Sequence, residues 1–243
     1  GIYEFSDAST GALSPVVSGQ TSGEWSNYET QTSGGSFLTL VNGVDKMQVF
    51  NGTAWQQVTA ASTPLAITGV DTALLYHVWG HRNRLFFVQK GTLTAWYLGV
   101  NSIAGAATAL PLTGVFRKGG SLLMGGTWSS DSGDGIDDRC VFVTDAGEVA
   151  IYAGNDPGDV NNWSLQGIYD IGDVMGREAA INIAGDLAFG TIDGIIPLSA
   201  AVSKDPAQLK VASIASNIAP DWARDAALAN SPWRVTRWPR GNM

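Results

Sequence analysis

Residues 126–140 read GTWSSDSGDGIDDRC and place four aspartates, Asp131, Asp134, Asp137 and Asp138, within eight positions. Carboxylates at this density suit cation binding, paired acid–base work, or plain solvated turn surface. A calcium loop needs oxygen ligands at alternating positions, because alternate side chains converge on one centre as the loop winds round it. Aligned on Gly135, those positions hold Ser130, Ser132, Asp134 and Asp138, and the twelfth position, where a bidentate Glu belongs, is Val141. Two carboxylates are thus replaced by serine, and Asp134 and Asp138 are the calcium candidates that remain. Paired carboxylates can also cleave a sugar bond. Asp137 and Asp138 are adjacent, however, and on a strand they point to opposite faces. The reading that takes least for granted is an acidic loop turning through Gly133 and Gly135, facing a lumen or an interface, with Asp137 or Asp138 near Arg139.

Other chemistry-bearing residues are sparse. His77 and His81, in HVWGH, are the only histidines. On a helix this spacing would put both on one face, as zinc sites need, but the context is aromatic and strand-like and no third ligand is near. HRNR reads as a turn into the strand LFFV. Cys140 is the single cysteine, so an internal disulfide and a cysteine-based metal site are excluded. VFRKGG, residues 115–120, is a small basic cluster in an acidic chain. Arg117 and Lys118 could touch phosphate there, because Gly119 and Gly120 let the backbone approach closely. An inter-subunit salt bridge or a solvated loop is the simpler alternative. Walker, nucleophile-elbow and dinucleotide motifs do not occur. The sequence assigns no catalytic residues, no metal site and no cofactor.

The elements that must position these residues are strands. FLTLVNGVDKMQVFNG, NRLFFVQKGTLTAWYLG, RCVFVTDAGEVAIYAG and GDLAFGTIDGIIPLS each read as strand, glycine turn, strand, since Gly beside Asn or Asp supplies the positive φ of a tight hairpin. The turn glycines Gly43, Gly91, Gly147 and Gly194 are spaced 48, 56 and 47 residues apart. Further strands or Trp follow in GTAWQQVTA, GVNSIAG and GNDPGDVNNWSLQGIYDIG. A repeat of about 40–50 residues with four strands is the period of a β-propeller blade, and the period favours a propeller over a plain sandwich. The expected fold class is all-β, with β-propeller-like repeats of four-stranded units and a short helical insert near the C-terminus. Residues 1–205 form the β domain, about four hairpin units and incomplete as a propeller. Residues 206–232 form the helical insert. Residues 233–243 continue the β domain as a strand. Within the insert Leu209, Ile214 and Ile218 are expected near one helical face, and Pro220 opens a second helix. The insert either caps the domain or contacts another subunit.

Composition agrees. Among 243 residues, 44% are hydrophobic, only 15% are charged, 30 are Gly and 9 are Trp. Such values favour many short strands joined by tight turns. The net charge of −8 argues against a conventional nucleic-acid binder, which carries a basic face. No apolar run approaches the roughly 18 residues of a membrane span. The chain lacks an initiator Met and ends at WPRGNM, so it is expected to be a piece of a longer protein.

The runs VNGVDKMQVFNGTAW, HRNRLFFVQKGTLTAWYLGVNSIAGAATALPL, VFRKGG, GDGIDDRCVFVTDAGEVAIYAGNDPGDVNNWSLQGIYDIG, GDLAFGTIDGIIPLS and WPRGNM resemble bacteriophage virion proteins of the tail nozzle or packaged-DNA stabilisation family of short-tailed phages. The resemblance spans about Trp25 to Met243, and its motifs are structural. It implies a β-propeller-bearing nozzle that forms a homo-oligomeric ring, typically a hexamer, below the portal and adaptor. Such a ring contacts the adaptor and other tail proteins, and retains and conducts double-stranded DNA without sequence recognition. It implies localisation in the virion tail after assembly in the bacterial cytoplasm, with no membrane insertion of this chain. The alternative reading is a carbohydrate-binding or receptor-binding propeller for host attachment, with Trp55, Trp96, Trp128 and Trp163 stacking on sugars.

Overall fold

A computed structural model describes residues 1–4, 14–129, 138–183, 185–228 and 232–236. The chain is all-β with blade-like repeats and a short C-terminal helical region. It divides into two compact units, residues 1–90 with 95–110, and residues 91–94 with 111–243.

In the first unit β1 (Ser26–Thr32), β2 (Gly35–Val41), β3 (Gln48–Phe50) and β4 (Trp55–Gln57) form an antiparallel meander. After β5 (Ile67–Thr68) come β6 (Leu75–His81), β7 (Arg84–Gln89), β8 (Thr94–Tyr97), β9 (Gly105–Ala106) and β10 (Thr108–Pro111). The second sheet runs β6-β7-β8-β10, while β5 and β9 pair in parallel. The expected turn in HRNR is present: Arg82 and Asn83 join β6 to β7 with φ of 48° and 56°, the double left-handed geometry of a two-residue hairpin. Val49, Ile67, Val78, Leu85 and Phe87 anchor the core of this unit.

The second unit holds β11 (Leu122–Trp128), β12 (Arg139–Thr144), β13 (Glu148–Gly154) and β14 (Trp163–Asp170) in sequence order, then β15 (Ala180–Ile183), β16 (Asp186–Thr191) and β17 (Gly194–Pro197). Its core gathers Val141, Val143, Val149, Ile151, Leu187 and Phe189. The four expected turn glycines fall where the second strand of each sheet passes to the third, Gly43, Gly91 and Gly147 in the link and Gly194 as the first residue of β17, and all have positive φ, at 73°, 69°, 76° and 125°. The repeat read from their spacing is therefore the repeat of the sheets.

The inner strands depart from strict alternation. β7, β12, β13 and β16 each carry four or five consecutive buried residues. Both faces of these strands are buried, so both are mostly apolar, with Thr144, Glu148 and Thr191 as polar exceptions, while strict alternation survives in β8 and β17.

The last sheet has three strands. Where a fourth would follow β17, the chain turns instead into α1 (Leu198–Ser203), ahead of the expected helical insert. The insert itself comprises a 3-10 turn (Pro206–Gln208), α2 (Leu209–Ala212), a second 3-10 turn (Ser216–Ile218) and α3 (Ala219–Leu228). Pro220 sits in the first turn of α3, as expected. Leu209, Ile214 and Ile218 do not share one face. Extended Ser213 ends α2, so Leu209 is buried while Ile214 and Ile218 are each 53% exposed. Of the strand expected over 233–243, the described residues hold one bridge, Glu178 to Arg234. Among the described residues no helix is long and apolar enough to cross a membrane.

Carboxylates brace the turns. In the first unit Asp45, on the β2–β3 link, accepts from the Thr21 N–H at 2.9 Å, the Ser22 N–H at 3.0 Å and the Asn42 amide at 2.8 Å. Desolvation pushes its pKa up, but these donors together outweigh that and hold it below the usual value of 3.8. A depressed folded-state pKa adds stability above the unfolded value and loses it as pH falls through the folded one. Asp45→Asn is therefore expected to lower stability at pH 7 by roughly the 1 kcal/mol of a lost cap, lowering the thermal midpoint with it, and to flatten the fall in midpoint below about pH 4. Calorimetry across pH 2–7 reads both; an unchanged acid limb in the variant would contradict the assignment.

Candidate functional site

The basic cluster Arg117–Lys118 lies in the second unit and is built by its neighbours. Both side chains are exposed. Their backbone N–H groups donate to one oxygen, Glu148 Oε2, at 2.9 and 2.8 Å. Glu148 heads β13 and is 4% exposed. One turn earlier Asp145 accepts from the Ser121 N–H at 2.8 Å and the Ser121 hydroxyl at 2.6 Å. Two carboxylates at the β12–β13 turn thus strap residues 117–121 onto that hairpin. Lys118 Nζ then pairs with Asp170 Oδ2 at 2.5 Å, and Asp170 Oδ1 accepts from the Gly172 N–H at 3.1 Å.

These groups edge a cleft of about 530 Å³. Ile168, Tyr169, Ala201, Val202 and Pro206 supply its apolar surface, and Lys204 at the end of α1 adds a third cation. Asp170 pairs with Lys118, and Glu148 keeps its negative charge although backbone amides bind it, so three cations against two carboxylates leave the cleft a small net positive charge, with Arg117 and Lys204 in no side-chain ion pair among the described residues. The arrangement can receive an apolar body bearing an anionic group. Sequence reasoning found Arg117 and Lys118 but missed Glu148, Asp170 and Lys204. Glu148 had a visible signal, a carboxylate at the head of the apolar run VAIY immediately after a turn glycine.

Asp131, Asp134 and Asp137 lie outside the described residues, so the calcium and lumen readings of that loop stay expectations. Its ends are described. The loop joins β11 to β12 across the pair Trp128–Arg139. Asp138 is buried and its carboxylate accepts the Ser129 hydroxyl, while the Arg139 guanidinium lies 5.1 Å over the Trp128 ring. Among the described residues no group of three His, Cys, Asp or Glu is placed to hold a metal ion.

His77 and His81 sit on β6, on the same face with Trp79 between them. Four residues along a strand separate their Cα atoms by about 13 Å, too far to share a metal. Both are buried in an aromatic ladder: His77 stacks 5.7 Å from Trp79, Trp79 5.3 Å from Phe86, and His81 meets Phe86 edge-on at 6.1 Å. His77 Nδ1 also shares a hydrogen bond of 2.9 Å with the Ser26 hydroxyl. These are packing roles.

The tryptophans proposed for sugar stacking are engaged as well. Trp128 is 6% exposed, and Trp55, Trp96 and Trp163 are half-buried. Trp55 Nε1 donates to Glu4 Oε1 at 3.0 Å, Trp96 Nε1 to Gln89 Oε1 at 2.8 Å, and Trp163 stacks on Tyr152 at 5.5 Å. Among the described residues no tryptophan is exposed. Compared with protein-family models and with curated proteins, the chain matches none.

Proposed function

We propose that this chain is a structural component of a phage tail nozzle, assembled as a ring that retains the genome and conducts it during ejection. The observation that carries a structural role is the use of the carboxylates: Asp45, Asp145, Glu148 and Asp186 each bind a neighbouring segment of their own unit through amide or hydroxyl donors. They act as braces between strands and loops. The specific role comes from the resemblance across residues 25–243. The net charge of −8 supports it, because an acidic wall repels the phosphate backbone, whereas a basic wall would hold DNA in a strongly salt-dependent way. Few charges and many aromatics also suit extended protein contacts.

Electron microscopy of the isolated protein and of virions tests the reading. The expected result is a ring of copies, present at the tail vertex. A monomer at every concentration, together with absence from virions, would overturn it.

A further inference from the structure

The cleft edged by Arg117, Lys118 and Lys204 has a counterpart at the far end of the same hairpin. The β13–β14 loop, NDPGDVNN over residues 155–162, raises Val160 to 89% exposure. That is the highest value among the large apolar side chains of the described residues. Asp156 and Asp159 flank it. The loop is braced: Asn155 N–H donates to the Asn162 carbonyl at 3.1 Å and Asn162 N–H to the Asp159 carbonyl at 2.9 Å. Asp159 accepts from the Asn161 N–H at 2.9 Å and the Asn162 amide at 2.6 Å. Those bonds, the Asn161 backbone bond first, hold its pKa below the usual value. The result is a fixed apolar knob beside an ionised carboxylate.

Knob and cleft are complementary in kind. One offers an isolated valine beside negative charge; the other offers an apolar surface with a small net positive charge, edged by the exposed cations Arg117 and Lys204. They cannot meet within one copy. The cleft lies at the Glu148–Asp170 end of the β13–β14 ladder and the knob beyond its Gly154–Trp163 end, and six residue steps of strand separate these ends by about 20 Å. We infer that the β13–β14 loop of one copy seats Val160 in the cleft of the next, with Asp159 facing Arg117 and Lys204. Two different patches of one chain joined in this way make a heterologous contact, which closes into a ring or runs on as a filament. The bracing of the knob lowers the entropy lost on docking. This inference rests on the ring proposed above and names how its copies join.

The test is sedimentation velocity over a concentration series of the purified chain, with two variants at exposed positions. Val160→Lys spoils the knob, and Arg117→Glu with Lys204→Glu spoils the cleft. Circular dichroism and thermal unfolding show that each remains folded. The wild-type chain is expected to form species larger than a dimer, and each variant to raise the apparent dissociation constant by about tenfold or more. An equimolar mixture of the two variants retains one good knob and one good cleft, so it is expected to form dimers and stop there. Variants that assemble as tightly as the wild type overturn this contact while leaving a ring intact. A wild-type chain that stays monomeric overturns the contact and the ring together.

Discussion

Gly147→Ala is expected to destabilise the chain by about 3 kcal/mol, against about 1 kcal/mol or less for Gly91→Ala, although both glycines hold the same position in their sheets. Both have positive φ, 76° and 69°. An alanine there pays the left-handed penalty of about 1–2 kcal/mol, partly offset because it also restricts the unfolded chain. The surroundings differ. A Cβ on Gly91 would meet nothing within 4 Å. A Cβ on Gly147 would lie 2.5 Å from the Gly172 carbonyl oxygen and 2.7 Å from its carbon. That neighbour is backbone and cannot swing aside. The Ile171 N–H also donates to the Gly147 carbonyl at 2.8 Å, so any retreat breaks the strap that brings the chain back from β14. Thermal unfolding reads the contrast: roughly 6–12 °C for Gly147→Ala and at most about 4 °C for Gly91→Ala, if the chain unfolds as one. Equal small losses would show that the Gly172 contact yields and that only backbone handedness matters.

The same comparison marks what was legible in the sequence. Turn type is a local property, so Gly43, Gly91, Gly147 and Gly194 announced the four hairpins, and their spacing announced the repeat. The contacts that make Gly147 unlike Gly91 come from residues 171–172, which no local pattern connects to it. Distance along the chain hid other parts in the same way. β10 was displaced from the expected GVNSIAG because it is an exposed edge strand that buries little and shows no apolar alternation. β9 reads as nothing, since its two residues are ordered by a parallel pairing with β5. The helical face expected through Leu209, Ile214 and Ile218 followed the 3.6-residue period, but extended Ser213 breaks the helix between the first and second of them. At the cleft, Arg117 and Lys118 stood out as cations beside two glycines. Their partners Glu148 and Asp170 are 30 and 52 residues away from Lys118, and only the strand register brings them together.

Glu148 carries the second large effect. Glu148→Ala is expected to cost about 2–3 kcal/mol, because it removes an ionised acceptor from two amides at once. The loss lies below the sum of two full charged hydrogen bonds, since water can reach the exposed loop and solvate part of what is left. Glu148→Gln keeps the side-chain length and one acceptor oxygen, so about half of the loss is expected. Stability alone would not separate a strap from an ordinary buried side chain; amide hydrogen exchange does. If Glu148 holds the loop, the Arg117 and Lys118 amides lose protection by about tenfold or more in Glu148→Ala, while amides of β7 in the first unit keep theirs. The cleft would lose its cationic rim at the same time, because the placement of Arg117 and Lys118 depends on those two amides. Self-association should therefore weaken in Glu148→Ala with Arg117 and Lys204 still present. Unchanged protection at residues 117 and 118 would remove Glu148 as the brace and leave the Lys118–Asp170 pair as the only side-chain tie seen on Lys118 among the described residues.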